Sequence, residues 1–258
     1  MDVSVLVLAL IQGILEWFPV SSSGHIYLFE LILGVQSGLD LEVALHFGTL
    51  MAVFVYFRKD IVAIVRDLLH SKWKTANSRL GFLIIIASIP AAIFGFIFRS
   101  YFEISSTFLV LGFGWIITST ALFIGVYSST KLNSASSLSR SKALLIGFAQ
   151  IISLFPGVSR SGMTISSGLL FGLKEKEAVK FSYLLSIPTI IGANLVTFGN
   201  RTIPLELLLP SLICFLVGLI FVHISFNFVL NNKRNLIWFA VYTLLLGLTC
   251  LYFAILKI

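Results

Sequence analysis

Long uninterrupted apolar segments are the feature that most limits the folds open to this chain. Six of them lie near 42–57, 80–98, 107–126, 177–197, 206–229 and 236–256. Their lengths approach the ~20 residues that a helix needs to cross the hydrocarbon core of a bilayer. Charged residues make up only 11% of the chain, whereas a soluble domain carries roughly 25%. The pattern predicts an all-α integral membrane protein with six full spans, and it lacks the short alternating strands of a β-barrel.

Two polar breaks, each with shorter apolar segments on both sides, interrupt this pattern. The first break, residues 19–25, lies between apolar segments 2–18 and 26–34, and the second break, residues 155–164, lies between 143–155 and 165–172. Both breaks contain Pro, Gly and several Ser. Non-helical backbone at membrane depth is tolerated only where it is buried in protein or lines a wet cavity. Each break with its two short arms therefore predicts a re-entrant helical hairpin.

The two breaks are copies of one motif. With a one-residue offset they share Phe-Pro, Val-Ser, Ser and Gly in register, and Gln12 and Gln150 precede them. We therefore predict a single membrane domain built from an internal repeat, residues 1–126 and 143–258, joined by the polar loop 127–142. Each half holds one hairpin and three crossings. Because three is odd, the two halves would enter the membrane from opposite sides, as an inverted repeat.

Basic residues are distributed unevenly between the predicted loops. Loops 58–79, 127–142, 173–180 and 230–235 hold 14 of the 18 Lys and Arg, and the other predicted side holds Arg99, Arg201 and Lys257. Since basic loops stay on the cytoplasmic side of a membrane, both chain termini are predicted outside the cytoplasm. The net charge of +7 follows from the same bias, so no nucleic-acid partner is predicted. The sequence leaves open whether the chain forms a homodimer.

If the two breaks meet, their polar side chains form one site suited to phosphoryl transfer. Ser22 and His25 are three residues apart and can interact on a helical turn, so they are a candidate nucleophile and acid/base group. Glu16 can act as a base, orient His25, or hold a divalent cation together with Gln12. Arg160 is the predicted cationic phosphate ligand. The candidate substrate-binding residues are Gln12, Ser21, Ser23, Ser159, Ser161 and Thr164.

At these motifs the chain closely resembles the undecaprenyl-diphosphate phosphatases of the bacitracin-resistance type. The matching stretches are residues 12–16, 19–25 and 156–164, and residues 181–188 resemble the family's next span. The resemblance runs essentially end to end. It implies hydrolysis of a polyprenyl diphosphate, undecaprenyl diphosphate, to the monophosphate at the outer face of the cytoplasmic (inner) membrane. Such a reaction would recycle the lipid carrier for cell-wall synthesis and confer bacitracin resistance.

The same resemblance implies roles for individual residues. Ser22 matches the nucleophile position, and Arg160 matches the phosphate-binding arginine. His25 and Glu16 match the acid/base and supporting positions. The family also implies a divalent cation, Mg²⁺ or Ca²⁺, at Glu16 with Gln12, where this chain has Gln at the first place of the motif.

Two other functions fit parts of the pattern. Broken helices in an inverted repeat are also typical of transporters, so a transporter or flippase for a lipid phosphate is the alternative. A non-catalytic resistance or scaffold protein is a third reading. The combination of Ser22, His25 and Glu16 favours the enzyme, because anion transport needs no nucleophile–base pair. His46, at the start of a span, either lines the pocket or makes an interhelical hydrogen bond.

Overall fold

The computed structural model describes residues 3–34, 38–98, 107–129, 131–198 and 204–256, and it contains no β-strand in these ranges. Its α-helices are α1 (Val3–Leu15), α2 (Ser22–Leu33), α3 (Gly38–Tyr56), α4 (Arg58–Leu69), α5 (Ala76–Ile97), α6 (Phe108–Tyr127), α7 (Arg140–Ile152), α8 (Arg160–Leu170), α9 (Glu175–Phe198), α10 (Leu208–Asn231) and α11 (Leu236–Leu256). The predicted all-α class is confirmed. Arg99, Arg201 and Lys257, which enter the charge argument, lie outside the described residues.

Within the described ranges, six helices are long and apolar enough to cross a membrane, namely α3, α5, α6, α9, α10 and α11. They have 19 to 24 residues each. At about 1.5 Å per residue, such helices match a hydrocarbon core about 30 Å thick. The six predicted spans are therefore confirmed. Helix α3 begins at Gly38, ahead of the apolar segment, and its first turn carries Asp40, a charge that the helix N-terminus favours.

The helices on either side of the two breaks are much shorter than the spans. Helices α1, α2, α7 and α8 contain 13, 12, 13 and 11 residues. None of them reaches the length of about 20 residues that a full crossing requires. The four helices therefore form two short pairs, α1 with α2 and α7 with α8, and the members of each pair pack against each other.

The second helix of each short pair begins earlier than the sequence predicted. We expected apolar arms from 26 and 165, but α2 begins at Ser22 and α8 begins at Arg160. The reason is an N-cap within each break. Ser21 Oγ accepts a hydrogen bond from Gly24 N at 3.2 Å, and Ser159 Oγ accepts one from Gly162 N at 3.0 Å. A serine that caps a helix in this way satisfies one of the free N–H groups of the first turn.

The helix packing has the same pattern in both halves of the chain. Helix α1 packs against α10, and its counterpart α7 packs against α5. Helix α3 also packs against α10, and its counterpart α9 packs against α5. The counterparts α6 and α11 pack against each other, as do α3 and α9. Residues 161–169 of α8 are all buried, so this short helix lies inside the bundle.

The backbone of the turn between α1 and α2 finds its hydrogen-bond partners on distant helices. Trp17 O accepts from the Tyr183 hydroxyl at 2.5 Å. Phe18 O accepts from Ser161 Oγ at 3.0 Å, which links the first turn to α8. Val20 O accepts from Trp115 Nε1 of α6 at 2.9 Å. An unsatisfied carbonyl at membrane depth would cost several kcal/mol, so these three helices make the irregular backbone tolerable.

The turn between α7 and α8 packs tightly against α6. Ser159 N donates to Thr118 Oγ1 of α6 at 2.9 Å. Gly114 of α6 lies so close that a Cβ there would come within 2.2 Å of Pro156 O. Gly157 has φ of +83°, a left-handed conformation that glycine adopts without strain. A Cβ on Gly24 would lie 3.0 Å from Gly157 Cα, so the two breaks are in direct contact.

Candidate active site

A polar cavity of about 300 Å³ lies where the two breaks meet. Its walls come from both breaks and from the spans α3 and α9. The polar residues that line it are Glu16, Ser21, Ser22, Ser23, Tyr27, Glu42, His46, Ser153, Ser159, Arg160, Ser161 and Thr189. The structure therefore brings the residues of the two sequence motifs together, although they are more than 130 positions apart in the chain.

Two helix N-termini open onto this cavity. The N-cap of α2, Ser21, lines it together with Ser22 and Ser23, and the N-cap of α8, Ser159, lines it together with Arg160. The N-terminus of a helix carries a partial positive charge and exposes N–H donors, so it binds phosphate groups readily. Two such ends beside an arginine make the cavity a site for an anion.

Glu16 lies at the centre of the polar network. Its Oε2 accepts hydrogen bonds from Ser22 Oγ at 2.6 Å and from Gln12 Nε2 at 2.9 Å. Its Oε1 pairs with Arg160 Nη2. His46 Nε2 lies 3.5 Å from Glu16 Oε2. Glu16 is only 6% exposed, so these four partners replace the water that a buried carboxylate needs.

The contact between Ser22 and Glu16 has the geometry of an activated nucleophile. A hydroxyl nucleophile requires a base within about 2.6–3.2 Å, held in place by a third group. Glu16 meets the distance, and Gln12 and Arg160 hold its carboxylate. Arg160 Nη1 is buried and has no hydrogen-bond partner among the described residues, so a donor remains for an incoming ligand.

Within the described part of the chain, His25 makes no hydrogen bond to Ser22, although the sequence spacing allowed that contact. His25 Nδ1 lies 2.7 Å from Ser21 O, and Nε2 lies 2.7 Å from the Tyr242 hydroxyl. The ring also packs edge-on against Trp115, with 5.3 Å between ring centroids. A spacing of three residues places the side chains of Ser22 and His25 on one turn of a helix. Ser22, however, is the first residue of α2, and its hydroxyl reaches back to Glu16.

Two of the predicted substrate-binding residues also lie outside the cavity lining. Thr164 is fully buried, and its hydroxyl bonds to Arg160 O at 2.9 Å and to Ser182 Oγ at 2.6 Å. Gln12 is buried behind Glu16, and its Oε1 has no hydrogen-bond partner in the part of the chain that the structure describes. Thr164 therefore holds the first turn of α8, and Gln12 orients the carboxylate. The predicted Ser21, Ser23, Ser159 and Ser161 all line the cavity.

Five further polar residues line the cavity, and the sequence reasoning either missed them or left them open, namely Tyr27, Glu42, His46, Ser153 and Thr189. His46 lies in the cavity wall, and its Nε2 is near Glu16 Oε2, as the first of the two sequence readings expected. Glu42 faces the same cavity and accepts a hydrogen bond from the Tyr27 hydroxyl at 3.1 Å. Glu42 and His46 are four residues apart and hence on one helical face. An ionisable pair inside an apolar span was a signal that could have identified them.

The fold and the site together define a multi-pass helical membrane protein with a polar cavity suited to an anion. The chain matches the family described as Bacitracin resistance protein BacA over residues 5–249, and it belongs to that family. A protein from Thermosipho africanus, named undecaprenyl-diphosphatase, is 36% identical over 251 residues, which cover 96% of this chain and 98% of that protein. A protein of the same name from Trichlorobacter lovleyi is 39% identical over 248 residues, 91% of each chain. The resemblance stated from the motifs is confirmed.

Proposed function

We propose that this protein hydrolyses undecaprenyl diphosphate, or a related polyprenyl diphosphate, to the monophosphate and inorganic phosphate. The observation that carries the proposal is the 2.6 Å hydrogen bond from Ser22 Oγ to Glu16, beside Arg160 and two helix N-termini. An anion-binding site alone would serve transport equally well. A paired nucleophile and base is useful only for chemistry. The family and the names of the relatives supply the substrate class.

In the proposed reaction, Ser22 Oγ attacks the terminal phosphorus of the diphosphate while Glu16 takes the hydroxyl proton. The bond from that phosphorus to the bridging oxygen breaks, and the polyprenyl monophosphate leaves. Water then attacks the phosphoserine, and inorganic phosphate leaves as the proton returns to Ser22. The negative charge of both steps falls on phosphoryl oxygens, which Arg160 and the N–H groups of α2 and α8 would hold.

Arg160 has two tasks in this scheme. Before the substrate arrives, it neutralises Glu16 through its Nη2 and keeps the cavity electrically balanced. Its Nη1 has no hydrogen-bond partner in the cavity wall and is available to a phosphate oxygen. Once Arg160 has turned to the phosphate, Glu16 can accept the Ser22 proton. A bidentate guanidinium suits the tetrahedral phosphate better than a point charge does.

We assign His25 to positioning rather than to proton transfer. Ser21 has φ of 67°, which is uncommon for a residue with a side chain and costs about 1–3 kcal/mol. The bonds from His25 to Ser21 O and to Tyr242 hold this turn in place. The neighbouring Ser22 is then presented to Glu16.

A divalent cation, Mg²⁺ or Ca²⁺, would bind in this cavity between the protein and the diphosphate. Glu16 and Glu42 line the cavity and are oxygen donors of the type that these ions prefer, and Gln12 Oε1, behind Glu16, would have to turn toward the ion to join them. No group of three or more His, Cys, Asp or Glu able to hold a metal exists among the described residues. The remaining ligands would be diphosphate oxygens and water. Such an ion, when bound, would neutralise charge on the diphosphate.

The enzyme is tested with purified protein in detergent and a polyprenyl diphosphate, with phosphate release as the readout. We expect Ser22→Ala to lower kcat by about 10³-fold or more, as loss of a nucleophile does. The matched control is Ser23→Ala, since Ser23 lines the cavity and does not contact Glu16. A rapid acid quench of the wild type should give one phosphate on the peptide that contains Ser22. Normal turnover of Ser22→Ala would show that Ser22 is not the nucleophile. The same assay with a chelator tests whether the reaction requires a divalent cation.

We further propose that the two halves form an inverted repeat with two re-entrant hairpins. We also propose that both termini and the opening of the cavity face the extracytoplasmic side of the cytoplasmic membrane. The corresponding helix pairs of the two halves, the short helices and the basic loops support this arrangement. In that position the enzyme would recycle the lipid carrier for cell-wall synthesis and confer bacitracin resistance. Labelling of a cysteine in loop 58–79 by an impermeant reagent from outside intact cells would contradict the topology.

A further inference from the structure

A second polar cavity, of about 540 Å³, lies at the N-terminal ends of α5 and α7. We call it the interface pocket, and it is lined by Trp73, Arg79, Phe82, Leu83, Leu138 and Arg140, among others. It shares no lining residue with the cavity at the two breaks. It is therefore a separate site from the cavity of the proposed hydrolysis.

Two guanidinium groups line the interface pocket. Arg79 lies in the first turn of α5, and one of its nitrogens donates to Leu138 O at 3.4 Å. Arg140 is the first residue of α7 and is exposed. None of the described residues that line the pocket is acidic. The carboxylate of Asp67, on α4 beside α5, already accepts from Asn77 at 2.9 Å and from Thr75 at 3.0 Å. The two arginines therefore lack an anionic partner in the pocket wall.

The rest of the lining of the interface pocket is apolar and aromatic. Leu83 and Leu138 form its buried floor, and Phe82 of α5 is 40% exposed. The Trp73 ring lies 5.4 Å from the Phe82 ring, measured between centroids, and is 56% exposed. Tryptophan is enriched at the level of lipid headgroups, where one side of the ring is wet and the other apolar. A lining that combines two cations with apolar and aromatic side chains complements the anionic headgroup and the acyl chain of a phospholipid.

We propose that the interface pocket binds an anionic glycerophospholipid, with its phosphate between Arg79 and Arg140 and an acyl chain along Phe82 and Leu83. Charge complementarity favours an anionic lipid over a zwitterionic one. The headgroup of a zwitterionic lipid carries a cation, which the two arginines would repel. Loops 58–79 and 127–142, which contribute to the pocket, belong to the basic side of the chain. Basic pockets between helices on the cytoplasmic side are the places where anionic headgroups bind.

The test is native mass spectrometry of the purified full chain in detergent, titrated with cardiolipin, phosphatidylglycerol or phosphatidylcholine. We expect the two anionic lipids to bind the wild type more tightly than phosphatidylcholine. The double variant Arg79→Gln/Arg140→Gln should lose about 25-fold in affinity for them, since each cation near an anionic lipid contributes about a fivefold factor. Arg79→Lys/Arg140→Lys keeps both charges and should stay within a few-fold of the wild type.

The matched control is Lys176→Ala/Arg234→Ala, which removes two exposed cations that lie outside the pocket. This control should bind anionic lipid as the wild type does. Unchanged phosphate release by every variant in lipid-free detergent shows that the fold is intact. Equal affinity for phosphatidylcholine, or an equal loss in the control, would overturn the proposal. Displacement of the lipid by an equal concentration of inorganic phosphate would also overturn it, because the site would then belong to free phosphate.

Discussion

Replacement of Glu16 by Gln tests which residue takes the proton from Ser22. The variant keeps the size of the side chain but removes the carboxylate that accepts from Ser22 Oγ at 2.6 Å. Loss of a general base typically costs roughly 10²- to 10⁴-fold in rate, which corresponds to about 3–5 kcal/mol of transition-state stabilisation. We expect kcat to fall by this factor and KM to change less, because Arg160 and the helix N-termini still hold the phosphate.

The same substitution also has a predictable effect on stability. Arg160 would lose its anionic partner while its side chain remains only 16% exposed. Breaking a buried ion pair from one side costs about 3–5 kcal/mol, and the partial exposure of Arg160 puts the expected loss at the lower end. The double variant Glu16→Gln/Arg160→Gln leaves no unpaired charge and should melt at a higher temperature than Glu16→Gln alone. A melting curve in detergent measures both differences.

The assay is phosphate release at saturating polyprenyl diphosphate, with Glu16→Gln and His25→Asn measured side by side. His25 does not contact Ser22 or Glu16, so His25→Asn should lower the melting temperature and reduce kcat by less than about tenfold. The opposite result would refute the reasoning. If folded Glu16→Gln keeps most of its activity and folded His25→Asn loses 10²-fold or more, then His25 is the base, as the sequence spacing suggested.

Three further substitutions test how the breaks are held. Ser21→Gly should raise the free energy of unfolding by about 1 kcal/mol. Glycine adopts the positive φ without strain, and its weaker N-cap lowers the stability by only a few tenths of a kcal/mol. A lower melting temperature would contradict this prediction. Gly114→Ala should displace the second break and lower both the melting temperature and the activity, because the added Cβ would meet Pro156 O at 2.2 Å. Gly192→Ala is the control: its Cβ would meet no atom within 4 Å, so this variant should be neutral or stabilising in the same two assays. Trp115→Phe removes the donor to the first break, and the stranded carbonyl should lower the free energy of unfolding by about 1–3 kcal/mol in denaturant titration; an unchanged midpoint would show that this bond is dispensable.

Much of the architecture was predictable because its causes are local in the sequence. The six spans follow from the length and apolarity of continuous segments, and these properties do not depend on what the segments pack against. The two breaks and their shared motif were visible as Pro, Gly and Ser in register. The starts of α2 and α8 were predicted too late, because the serines of each break were read as loop residues when Ser21 and Ser159 are N-caps.

The members of the site were predictable in part, and their contacts were not. Composition alone marks Glu16, Arg160 and the serines as unusual within apolar segments, so the sequence identified them. The partner of Ser22 depends on the path of the turn before α2, which distant donors such as Trp115 and Ser161 hold by their bonds to its carbonyls. Those donors are about 95 and 140 residues away, and no local pattern reports their positions.

The sequence by itself determined that this is a helical membrane protein with two matched polar breaks and the residue types for phosphate chemistry. The tertiary structure alone decided that Ser22 contacts Glu16, that His25 turns away to Tyr242, and that His46 enters the cavity wall. The physical reason is that hydropathy and capping act over a few residues. The direction in which a side chain points into a cavity is set by packing between helices that the chain brings together from both of its halves.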